Sequence, residues 1–343
     1  MRIGAGLLVL AAILAAPIAE AHPGGMCWRP PQARTVEEAV IVAQNEANVA
    51  AGRGMSGTPA MLALSDGRLK TAYSAGLIVG WGETGKRPAF SVVTAVGMSA
   101  LLAPFAFIGR DGDGAIADIF ACDAASLEEM AARAIAYLDG GAMAQIARRH
   151  EAGARLLVAL PGSAARRETV WDIGAIAASG QADAGELIGT ILRASVDLTT
   201  FVDPQTTPVK AGVTATRNPA LRRIGAGEAF LSTPSLRTPE APTYLIHNGV
   251  LFADEAQAYG SVYGDERSAV PADLWLLPAH DLFRAAHQRH RPVLIASPRA
   301  HMNIQTQQSA FDLPYMRALF LDAFRQGRMS REWRETVVDL RSQ

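Results

Sequence analysis

The chain has 343 residues, 49% hydrophobic and 19% charged, with a formal net charge of -1 at neutral pH. That balance suits a globular chain with a large core, and the absence of a basic stripe argues against nucleic acid as a partner. The seven histidines are scattered and the two cysteines stand far apart, so no cluster has metal-ligand spacing.

In chain order, Arg2 followed by the apolar run Leu7 to Ile18 and by Ala19-Glu20-Ala21 has the form of a secretory signal over residues 1–21. The expected mature chain starts at His22 and is exported, periplasmic or secreted. The run is short for a membrane span, and Pro17 and Glu20 interrupt it. No transmembrane segment is expected after it. Residues 22–59 read as a leader with a helical pattern from Val36 to Val49. Both Cys27 and Cys122 survive cleavage. An oxidising compartment permits a disulfide between them, and two free thiols fit the sequence equally well.

From Met61 the chain alternates between apolar strands and helices. The expected strands are Met61–Leu64, Phe90–Thr94, Arg155–Leu160, Thr169–Asp172, Tyr244–Ile246 and Val293–Ala296. The expected helices are Thr71–Trp81, Ser99–Phe107, Leu127–Leu138, Glu186–Ser195 and Phe311–Gln326. Gly140-Gly141 is expected to break the third of these. Thr216–Pro242 has no clear period. Asp111-Gly112-Asp113-Gly114 looks like the start of a calcium loop, but Cys122 stands where the closing Glu is needed, so it is expected to be a surface turn. This alternation predicts an α/β fold with a mostly parallel central sheet.

The stretch Val92-Val93-Thr94-Ala95-Val96-Gly97-Met98-Ser99 reads as strand, tight turn and helix start. That is the context of a nucleophile elbow, in which Gly-x-Ser-x-Gly lifts a serine above a sheet. Gly97 stands at the serine position and offers no attacking oxygen.

The strand before Ser65, the elbow context and the tail Phe311-Asp312-Leu313-Pro314-Tyr315-Met316 together resemble the patatin-like phospholipases, especially their exported bacterial branch. The similarity extends over Gly80-Trp81, Glu83-Thr84-Gly85-Lys86-Arg87-Pro88, Trp171-Asp172-Ile173-Gly174 and Tyr244-Leu245-Ile246-His247-Asn248-Gly249. The resemblance implies a three-layer α/β/α domain over residues 60–335, followed by a tail over 336–343. It also implies lipid acyl-ester hydrolysis by a Ser-Asp dyad, with no metal or cofactor.

All three motifs of that chemistry are altered. The glycine-rich oxyanion loop is represented by Asp66, Gly67, Arg68 and Thr71, of which only Gly67 keeps the family's residue. Side chains at the other three restrict the backbone, and a charge at Asp66 opposes an oxyanion there. The elbow has Gly97, and Ser99 replaces its final glycine. The base position falls at Arg223, which cannot accept a proton, and Glu228 is the nearest acid. The expectation is a catalytically inactive relative that binds a lipid acyl chain or a protein partner, with the space above Gly97 widened by the missing hydroxyl. The alternatives are a weak acyl hydrolase using Ser65, Ser99 or a water activated by Glu228, and an interaction protein with a closed pocket.

Overall fold

A computed structural model describes Trp28 and residues 60–160, 169–196, 242–248, 293–298, 311–329 and 333–335. Its described strands are β1 (Ala60–Leu64), β2 (Phe90–Val96), β3 (Arg155–Leu160), β4 (Thr169–Asp172), β5 (Thr243–Ile246), β6 (Val293–Ala296) and β7 (Arg334–Glu335). They form one sheet in the order β4-β3-β2-β1-β5-β6-β7. Neighbours from β3 to β6 pair in parallel, while β4 and β7 close the edges antiparallel. The central strands are near-continuous apolar runs, as strands covered on both faces must be, and every residue of β1 is buried. The fold is α/β with a mostly parallel sheet, as the alternating pattern predicts.

Helix α1 (Thr71–Glu83) follows β1 and is buried from Thr71 to Gly82. It lies against the long helix α8 (Leu313–Met329) with almost no side chain between them. A Cβ on Gly76 would stand 2.1 Å from the Phe320 carbonyl oxygen, and one on Gly80 would stand 2.0 Å from that of Phe324. Gly76 and Gly80 are four residues apart and share a face, so they set how closely the two backbones approach. Trp28 packs edge-on against Phe320 and Phe324, with ring centroids 4.8 and 5.4 Å apart, on the same helix.

Three local expectations are corrected. The segment expected as one helix over Ser99–Phe107 is a 3-10 turn, Gly97–Leu101, followed by α2 (Ala103–Ile108). Pro104 near the start of α2 has no N–H, so the helical ladder restarts there. The surface-turn motif runs from the 3-10 turn Arg110–Gly112 straight into α3 (Asp113–Ala121). Gly140-Gly141 does follow the end of α4 (Leu127–Tyr137), but it also opens α5 (Gly140–Glu151). The Asp139 carboxylate accepts from the Ala142 N–H at 2.8 Å and caps that second helix. The remaining described helices are α6 (Ile173–Ala177) and α7 (Ala184–Val196).

Among the described residues no helix is long and apolar enough to cross a membrane, and no group of His, Cys, Asp and Glu could hold a metal. Cys122 is disulfide-bonded. Cys27, the partner the sequence allows, the signal over 1–21, the leader helix, Arg223, Glu228, the stretch 216–241 and the tail over 336–343 lie outside the described residues.

Candidate functional site

The strand order reverses direction beside β1. From β1 the chain adds β2, β3 and β4 on one side, then crosses to place β5 on the other. In open parallel sheets such a switch point leaves a crevice at the carboxyl ends of the strands, because the loops leave in opposite directions. The in-register pairs Leu64↔Ala95 and Leu64↔Ile246 bring three strand ends together there. The loops that follow carry Ser65 to Arg68, Gly97 to Ser99, and His247 with Asn248.

At the end of β2 the chain bends at Gly97, whose φ is +56°. This left-handed bend is the elbow geometry read from the sequence. A side chain here carries a conformational penalty of about 1–2 kcal/mol, which glycine avoids. Gly97 therefore takes the bend without strain and carries no hydroxyl.

The space above Gly97 is filled by Asp66. A Cβ built on Gly97 would lie 2.3 Å from the Asp66 Cγ and 2.5 Å from each carboxylate oxygen. The expected widening of this space is thus corrected, since a carboxylate from the neighbouring loop stands in it. Asp66 Oδ1 accepts three backbone N–H groups, from Gly67 at 2.8 Å, Arg68 at 3.1 Å and Met98 at 3.2 Å. Two of these donors come from the loop after β1. The third belongs to the residue after the elbow, the combination that forms an oxyanion hole in serine hydrolases.

The expectation that a charge at residue 66 opposes an oxyanion gains a concrete form: the carboxylate itself occupies the donors. The loop has one glycine, Gly67, and a strained residue beside it. Arg68 takes φ +48°, at a cost of about 1–2 kcal/mol. Its N–H is one of the three that donate to Asp66.

Behind this cradle lies a buried polar cluster. Ser99 Oγ donates to the Ser65 carbonyl at 2.6 Å. Asn248 donates from its backbone N–H to Ser65 Oγ at 2.9 Å and from Nδ2 to the Ser65 carbonyl at 2.7 Å. Its Oδ1 accepts from Ser74 Oγ at 2.8 Å. Ser65 and Ser99 are both fully buried. Their hydroxyls tie the loops after β1, β2 and β5 to one another and do not reach the surface. Gly67 is required because a Cβ there would stand 2.2 Å from the Asn248 Cβ.

His247 is buried, and burial, with the Lys70 charge adding to it, pushes its pKa down to about 4. Its imidazole is therefore neutral at neutral pH. Thr71, the first residue of α1, is fully buried with no hydrogen-bond partner for its hydroxyl among the described residues.

The structure brings together Ser65, Asp66, Gly67, Arg68, Gly97 and Ser99 from the sequence-derived set, with Thr71 opening the helix beside them. Sequence reasoning quoted Asn248 only within the similar stretch Tyr244 to Gly249 and gave it no role in the site. The available signal was its place two residues past the expected strand Tyr244–Ile246, where a parallel sheet puts its functional loops. Comparison with known protein families, curated proteins and solved structures finds no match to this chain.

Proposed function

We propose that this chain is an exported, non-hydrolytic relative of the patatin-like phospholipases, with a three-layer α/β/α domain and a site sealed by its own Asp66. One observation carries the reading: the three amides suited to stabilise a substrate's oxyanion all donate to the Asp66 carboxylate. An ester carbonyl has no donors left to polarise it, and Gly97 has no atom to attack it. The frame is retained while the reacting groups are replaced, which favours a binding role toward a lipid acyl chain or a protein partner. The alternative of a weak hydrolase using Ser65 or Ser99 asks a fully buried hydroxyl, already bonded within the loop cluster, to reach a substrate.

The test is hydrolysis of p-nitrophenyl butyrate by the purified mature chain. Turnover should equal the buffer blank, and Ser99→Ala should change nothing. Turnover that vanishes in Ser99→Ala or Ser65→Ala refutes the reading. Lipids recovered by mass spectrometry from gently purified protein would separate an acyl ligand from a protein partner.

A further inference from the structure

The cradle's donors are positioned by more than the group they now hold. Asn248 pins the Ser65 backbone and side chain, and the Ser99 hydroxyl ties the elbow to the loop after β1. These bonds do not involve Asp66, so the anchors Ser65 and Ser99, which flank Gly67, Arg68 and Met98 in the chain, persist when its side chain is removed. Asp66 itself is not in the left-handed region, so alanine fits its backbone. We propose that the amide cradle of Gly67, Arg68 and Met98 is a carboxylate-binding site held shut by Asp66, and that a free monocarboxylate enters it once that side chain is removed. The inference rests on the non-hydrolytic reading only in treating the cradle as a binding site.

The class of ligand follows from the present occupant. A planar group of one carbon and two oxygens fills the space above Gly97, with one oxygen shared by three N–H donors. Formate and acetate reproduce that group. Sulfate and phosphate are tetrahedral and carry oxygens out of the plane. In the native chain the tethered carboxylate competes at an effective concentration that free ligands do not reach, so the site stays closed.

The experiment is thermal unfolding of the full mature chain and of Asp66→Ala, titrated with formate and acetate. Chloride and sulfate at matched ionic strength are the reference arms. Asp66→Ala should melt below the wild type and regain a saturable Tm increase of about 2 °C or more with either carboxylate, beyond the chloride arm. The wild type and Asp66→Asn, whose amide still fills the space, should show no such increase. An Asp66→Ala protein indifferent to both carboxylates, or equally responsive to sulfate, overturns the proposal. Should Asp66→Ala not fold unaided, refolding in formate but not in chloride supports the proposal, and equal failure in both overturns it. Ester hydrolysis is read separately: turnover by Asp66→Ala would defeat the non-hydrolytic reading while the carboxylate titration still decides this one.

Discussion

Restoring a serine at residue 97 tests the packing of the site most directly. Its Cβ would lie 2.3 Å from the Asp66 Cγ, more than 1 Å inside ordinary carbon contact of about 3.5–4.0 Å. The carboxylate must leave, and its three N–H bonds leave with it. Bonds to a charged group are worth about 1.5–3 kcal/mol each when buried. Asp66 is partly exposed and water re-solvates the freed amides, so the combined loss is about 1–3 kcal/mol. The left-handed backbone adds about 1–2 kcal/mol for any residue with a side chain. Gly97→Ser should therefore lose about 2–5 kcal/mol by denaturant unfolding, and it should not hydrolyse p-nitrophenyl butyrate. Asp66→Ala alone loses the same three bonds. In the double mutant that loss is counted once, so its destabilisation should fall short of the sum of the singles by about 1–3 kcal/mol. Additivity within about 0.5 kcal/mol, or ester hydrolysis by Gly97→Ser alone, refutes the reasoning.

Two further outcomes follow from the frame. Gly80→Ala places a Cβ 2.0 Å from a backbone oxygen of α8, so it should lose about 2 kcal/mol or more despite alanine's better helix propensity. Gly185→Ala, exposed in α7 with nothing within 4 Å, should be neutral or gain up to about 1 kcal/mol in the same unfolding assay. The second outcome concerns Asp113, which pairs with Arg87 at 2.8 Å but is pushed up to about 6 from 3.8 by burial, against the pull of Arg87 and Arg110. Its folded state binds the proton more tightly, so its contribution is full below pH 3.8 and is lost as pH rises through 6, by up to about 3 kcal/mol. The Tm of the wild type minus that of Asp113→Asn should fall between pH 4 and 6 and then level off. A difference that grows with pH contradicts this.

Much of the sheet was legible because its strands are buried on both faces and read as short apolar runs between turn signals. Arg155–Leu160 and Val293–Ala296 match the structure to the residue. The helices Asp113–Ala121 and Gly140–Glu151 were missed because their starts carry Asp and Gly, residues that also signal turns. In both cases tertiary packing or a cap decided the outcome. The elbow was legible because a strand, a tight turn and a helix start are local. Asn248 was not, since it reaches Ser65 from 183 positions away across a crossover.

The sequence by itself determined the alternating α/β order, the bend at Gly97 and the absence of a hydroxyl there, because each depends on neighbouring residues. Only the tertiary structure decided what stands above Gly97. Asp66 and Met98 are 32 positions apart, and the parallel register of β1 and β2 makes them meet. A carboxylate at residue 66 reads in one dimension as an obstacle to catalysis. In three dimensions it is a ligand, because three amides fixed by the sheet converge where its oxygen lies.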